Sequence, residues 1–356
     1  MKIIKKVLSI ILVIVFSFMF VCCGRDFYYA DFSCFKTNVH VETYGKKLDE
    51  QTLESIKNVC FSLEERFDYD GENSIPTMLN NADIGEKIRV TPDCFTLLKK
   101  SVDLNQFTNG AFNPLITPLT ELWGFKNKVL KPTTIPSQND IDSILNSNLL
   151  DIENLELIDG EVSKKDNLNL DLGGLVKGYA SQKAMDVLLE KGFDKCYVNF
   201  GGSSLSLIGM PTLRVIHPTK SHGEILEINL DKKHVQHVST SGDYENYYEI
   251  DKKRYSHIIN PLNGYPTDTG VRSATVILDD GAFADGITTA LCLMDYYKDN
   301  HANSPLVLLA QKIIVAYPKA CIYVVYEKGE DKILLTNKKQ NENFILLDTE
   351  YTVVNI

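Results

Sequence analysis

The chain has 356 residues, 44% of them hydrophobic and 24% charged, an ordinary globular composition with room for a sizeable core. Its formal charge is -10 and no lysine- or arginine-rich block runs along it, which excludes a nucleic-acid partner. The apolar content excludes a disordered chain.

Lys2, Lys5 and Lys6 precede an apolar stretch from Val7 to Val21, which runs into Cys22 and Cys23. This order predicts an export signal of lipoprotein type over residues 1–22, with Cys23 as the lipidated residue and a linker over 23–31. The apolar stretch falls short of the roughly 20 residues that a spanning helix needs, so cleavage is favoured over a permanent transmembrane anchor. The expected location is outside the cytoplasm, on the cell membrane, held by an N-terminal lipid. Cys34, Cys60, Cys94, Cys196, Cys292 and Cys321 are scattered without a CxxC pair and read as small buried residues.

One domain is expected over 32–356. "NVHVETYG" alternates as a strand, and Leu53, Ile56, Val59, Cys60, Leu63 and Phe67 then recur at helical spacing. "TPDCFTLLKKSVDLNQF" is a second helix, opened by Thr91 and Pro92. "TNGAFNPLITPLTELWGF" is rich in turn residues, and residues 126–168 are polar with a helix near Asp140 to Leu149. "LNLDLGGLVKGYASQKAMDVLLEKG" reads as strand, glycine turn and helix, stopped at Gly192. Residues 213–280 read as paired strands, with a hairpin around Asp251 to Lys253. "GAFADGITTAL" starts a helix, and "KACIYVVYEKGEDKILLT" is a closing hairpin. Strands and helices mix without a regular βαβ alternation, so the predicted class is α+β, with mixed sheets and packed helices.

Four stretches carry more polar groups and glycine than a core needs. In "DLGGLVKGYA", glycines at a helix start allow a phosphate to approach free N–H groups, with Lys177 beside them. The same stretch also fits a turn capped by Asp171. Asp285 and Thr289 are four apart, hence on one helix face, and both can reach one ion. A carboxylate and a hydroxyl describe a hard cation, Mg²⁺ before Ca²⁺, that takes other ligands from water and phosphates. Alone, the pair also fits a helix-start Asp and a core-facing Thr. His257 lies on a predicted strand, where a packed core role competes with catalysis. "TNGAFNPLITPL" suits the wrapping of an aromatic ring system and equally a turn over buried Phe112.

Taken in order, the motifs are Gly110-Ala111-Phe112-Asn113-Pro114, Asp171-Leu172-Gly173-Gly174 with Lys177-Gly178-Tyr179-Ala180, and Asn199-Phe200-Gly201-Gly202. They continue with Thr240-Ser241-Gly242-Asp243-Tyr244, Tyr255-Ser256-His257-Ile258-Ile259-Asn260-Pro261, and Ala284-Asp285 with Thr289-Ala290. This succession resembles the ApbE family of FAD:protein FMN transferases, over about Phe32 to Tyr351. The resemblance implies a two-lobed single domain and a Mg²⁺-dependent enzyme, exported or membrane-anchored. Such an enzyme moves FMN from FAD to a Thr or Ser hydroxyl of a partner flavoprotein, such as a subunit of a membrane electron-transfer complex, and releases AMP. It further implies Asp285, Thr289 and the Gly174 carbonyl as metal ligands. Ala111, Phe112, Asn113, Asp171, Lys177, Thr240, Ser241, Gly242 and His257 are implied to contact FAD. His257 stands as the first candidate for proton transfer, with Asp285 as the other.

Asn113 and Asn260 depart from the pattern, which has Asp at both places; each swap removes a charge and keeps a hydrogen-bonding group. An aromatic is implied near Tyr69. Two other functions use the same residues: hydrolysis of FAD to FMN and AMP, and flavin binding by a lipoprotein without turnover.

Overall fold

The computed structural model describes residues 27–126, 132–220 and 223–356. The expected export signal and Cys23 lie outside the described residues. Residues 27–31, expected as linker, are strand instead. Strands β1 (Phe27–Cys34) and β2 (Thr37–Tyr44) form a hairpin in register from Phe27 opposite Tyr44 to Cys34 opposite Thr37. β1 alternates exposed with half-buried residues, so main-chain pairing rather than an apolar run orders it.

Helix α1 (Glu50–Phe67) begins where the Asp49 side chain accepts the Thr52 N–H, and it buries Ile56, Cys60, Leu63 and Phe67. Next come α2 (Ile75–Asn81), β3 (Ile88–Arg89), α3 (Pro92–Phe107), α4 (Thr117–Leu122), α5 (Gln138–Leu145), β4 (Leu155–Ile158) and β5 (Glu161–Lys164). β4 and β5 lie inside the stretch 126–168 that reads as polar, and they join β3, from before α3, in a small antiparallel sheet of order β3-β5-β4. The strand expected before the glycine turn is loop. Its main chain is held by other partners: Leu170 N–H donates to Asn80 Oδ1, and Asp171 N–H donates to the Pro114 carbonyl.

The remaining elements are α6 (Val176–Glu190), β6 (Cys196–Phe200), β7 (Ser204–Ile208), β8 (Thr212–Ile216), β9 (Glu224–Asn229) and β10 (Gln236–Gly242). They continue through β11 (Tyr247–Ile250), β12 (Lys253–Ser256), β13 (Val271–Leu278), α7 (Gly281–Cys292), α8 (Pro305–Ala316), β14 (Cys321–Lys328), β15 (Asp331–Thr336), β16 (Phe344–Leu346) and β17 (Thr352–Asn355).

Nine strands form the central sheet in the order β1-β2-β6-β7-β10-β13-β14-β15-β17, antiparallel except for β15 with β17. α1, α3, α6, α7 and α8 contribute to the main core with this sheet, while β16-β9-β8 builds a second cluster that includes Leu207, Val238, Tyr323 and Leu334. A third cluster joins Leu119, Trp123 and Ile141 to Tyr248 on the β11–β12 hairpin. The chain is thus a single-domain α+β protein. The six cysteines of the described residues are free, and five of them are buried.

Candidate active site

Two glycines let α6 and α7 touch. A Cβ on Gly178 would stand 2.0 Å from the Gly281 carbonyl oxygen, and one on Gly281 would stand 2.4 Å from that of Gly178. No side chain fits at either position. The crossing brings the first turn of α6 against Asp285, whose Oδ2 accepts the Gly178 N–H at 3.0 Å. Asp285 Oδ1 accepts the Ser204 hydroxyl, also at 3.0 Å. The carboxylate is 5% exposed, and burial raises its pKa against the opposing pull of Lys177.

A cavity of about 350 Å³ opens beside this crossing, within the size range of small-molecule sites. Ala111, Phe112 and Asn113 form one wall, and Asp171, Gly174 and Lys177 lie at the glycine turn. Thr240, Ser241 and Gly242 end β10, His257 follows β12, and Asp285 and Thr289 join the lining from α7. The structure therefore brings every candidate residue to one cavity. Gly174 packs under the Phe112 ring, where a Cβ would come within 3.1 Å of Cε2.

His257 follows β12 in a bend rather than lying within a strand. Its Nδ1 lies 3.0 Å from the Asn246 carbonyl, an acceptor only, so the neutral ring carries its proton there and Nε2 keeps its lone pair. Burial holds the imidazole below its ordinary pKa; the Asn246 carbonyl opposes this shift and Lys177 adds to it. Lys177 Nζ donates to the Gly173 carbonyl at 3.2 Å.

Several lining residues carry no sequence signal of their own: Phe125, Lys126, Ser203, Glu245 and Asn246. Lys126 pairs with Asp171 and sits 3.8 Å from the centre of the Tyr69 ring, which ties the expected aromatic to the cavity through a cation. Asn113 acts locally. Its Oδ1 accepts from Leu115 N–H at 2.9 Å and its Nδ2 donates to the Leu150 carbonyl at 2.8 Å, a bond that Asp cannot make. Asn260 Oδ1 accepts from Leu262 N–H at 2.9 Å, a turn contact open equally to Asp.

Among the described residues no group of three His, Cys, Asp or Glu gathers as a metal site. The expected set is of another kind, one carboxylate with a hydroxyl and a carbonyl. Its chemistry fits a hard cation: Asp285 is buried with neutral hydrogen-bond partners and no ion pair among the described residues, so no protein cation touches its carboxyl group.

The profile of the ApbE family matches residues 35–304. The FAD:protein FMN transferase of Vibrio cholerae serotype O1 is 30% identical over 254 residues, which cover 69% of this chain and 74% of that relative. The crystal structure of the ApbE protein from Thermotoga maritima superposes with a TM-score of 0.73 at 27% identity, covering 85% of this chain and 96% of that one. The flavin transferase ApbE from Vibrio cholerae shares the fold, with a TM-score of 0.71 at 22% identity over 90% of this chain and 96% of its own. With the profile spanning most of its length and the fold in agreement, the chain belongs to the ApbE family.

Proposed function

We propose that this chain is a FAD:protein FMN transferase that moves FMN from FAD to a Thr or Ser hydroxyl of a partner flavoprotein and releases AMP. The observation that carries the reading is the meeting of Asp285, Thr289, Gly174, Lys177 and His257 around one cavity. Phe112 and Phe125 supply ring faces for an isoalloxazine, and Lys177 supplies positive charge for the diphosphate. Asp285, Thr289 and the Gly174 carbonyl would hold Mg²⁺, which when bound offsets charge on the phosphoryl oxygens. His257 takes the proton of the attacking hydroxyl at Nε2, and Lys177 stabilises charge on the leaving AMP.

The test is AMP release from FAD and Mg²⁺ with and without an acceptor domain. Acceptor-dependent release supports transfer; equal release without acceptor makes the enzyme a hydrolase, and tight FAD binding with no AMP makes it a binder.

The reading extends to location. Lys2, Lys5, Lys6 and the apolar stretch from Val7 to Val21 that leads into Cys22 and Cys23 support export and lipid anchoring, which would keep the enzyme beside an acceptor in a membrane electron-transfer complex. Among the described residues no helix is long and apolar enough to cross a membrane. Labelled fatty acid that survives Cys23→Ala would refute Cys23 as the attachment site, and no incorporation by the wild type would refute the anchor.

A further inference from the structure

Behind the two side chains assigned to the cation lie two buried hydroxyls that the reaction does not otherwise use. Ser204 and Thr288 are both 0% exposed. Ser204 Oγ donates to Asp285 Oδ1 at 3.0 Å, and the Gly178 N–H donates to Oδ2, so each carboxylate oxygen accepts one hydrogen bond from behind. Thr288 Oγ1 donates its single proton to the Asp285 main-chain carbonyl at 2.7 Å. With that proton committed, the 2.8 Å contact between Thr288 Oγ1 and Ser241 Oγ has Ser241 as donor. Ser241 then has no proton left for Thr289, so at the longer 3.4 Å contact Thr289 is the donor.

We infer that Ser204 and Thr288 are positioning residues that fix the proton direction of the cation-binding pair, so that Asp285 and Thr289 turn only lone pairs toward the cavity. The inference rests on the cation assignment made above. Without Ser204, one carboxylate oxygen loses its anchor; without Thr288, Ser241 is free to point its proton at Thr289, which then turns its own O–H elsewhere. A hydroxyl proton facing the cavity repels a cation. Groups that orient ligands from behind typically change metal affinity by about 10–100-fold.

The experiment is Mn²⁺ binding to the metal-free full chain, followed by electron paramagnetic resonance, with melting temperature recorded for every variant. Ser204→Ala and Thr288→Val are each expected to weaken Mn²⁺ binding by about tenfold or more. Ser204→Thr and Thr288→Ser, which keep the hydroxyl, are expected to restore it. Wild-type Mn²⁺ affinity in folded Ser204→Ala and Thr288→Val overturns the inference and leaves the cation assignment standing. Wild-type affinity in Asp285→Ala, or no binding by the wild type, overturns the assignment and the inference with it. Equal weakening in the hydroxyl-keeping variants, with unchanged melting temperatures, also overturns it.

Discussion

Asp285 Oδ2 accepts the Gly178 N–H at 3.0 Å, so a carboxylate on α7 satisfies one of the open N–H groups at the start of α6. One side chain thereby joins the glycine turn at 173–174 to the face that carries Thr289. The helices hold this geometry because Gly178 and Gly281 leave no side chain between them. Gly178→Ala is expected to destabilise the protein by on the order of 3 kcal/mol through overpacking, and to weaken divalent-ion binding with it. Thermal melts and Mn²⁺ titration of the variant check both; an unchanged melt would show that the crossing has slack.

His257 predicts a separation of binding from turnover. Its Nε2 has no hydrogen-bond partner among the described residues, and burial keeps the ring neutral to lower pH than usual. His257→Ala is expected to lower the transfer rate by about 10²–10⁴-fold while FAD still binds. The acidic limb of kcat/KM against pH should fall below the ordinary histidine value of about 6.5. A wild-type limb in the variant would move the base role to another group.

His237 predicts acid sensitivity of the fold. It is 5% exposed on β10, its Nδ1 lies 2.7 Å from Ser206 Oγ, and burial lowers its pKa to about 4. The unfolded chain takes up the proton near 6.5 and the folded one only near 4, so the unfolded state binds more protons between these values. Stability therefore falls as pH drops from 6.5 to 4, by roughly 3 kcal/mol in all. Urea melts at pH 7 and pH 4.5 of the wild type and His237→Gln check it; the variant should lose much of the slope.

Asn113→Asp tests a departure from the family pattern. The substitution removes the donor to the Leu150 carbonyl and sets two acceptors face to face. A destabilisation of about 1–3 kcal/mol is expected. Denaturant melts read the stability, and FAD titration shows whether the loss is confined to folding.

Much of the candidate site is legible in the sequence because its signals are local. The i, i+4 spacing puts Asp285 and Thr289 on one face, and glycines at 173 and 174 mark a turn that a ligand can approach. What escapes a sequence reading depends on distant partners. Ser204 and Thr288 look like ordinary core hydroxyls until Asp285 meets them, from 81 residues away in the case of Ser204. Lys126 gains its meaning only when Tyr69 and Asp171 are brought to it. In the fold, β1 escapes because it buries almost nothing, and its turn uses Phe35 and Lys36 at φ 51° and 58° instead of the usual glycine or asparagine. β3 escapes because a two-residue strand has no period to read, and β4 and β5 offer only four residues each.

The proposed transfer depends on a divalent ion held by Asp285 and Thr289. The most direct measurement is the intact mass of an acceptor domain after incubation with FAD, Mg²⁺ and either wild type or Asp285→Ala. One added FMN is expected with the wild type, and none with the variant or in the presence of EDTA. An adduct formed by Asp285→Ala at the wild-type rate would contradict this dependence.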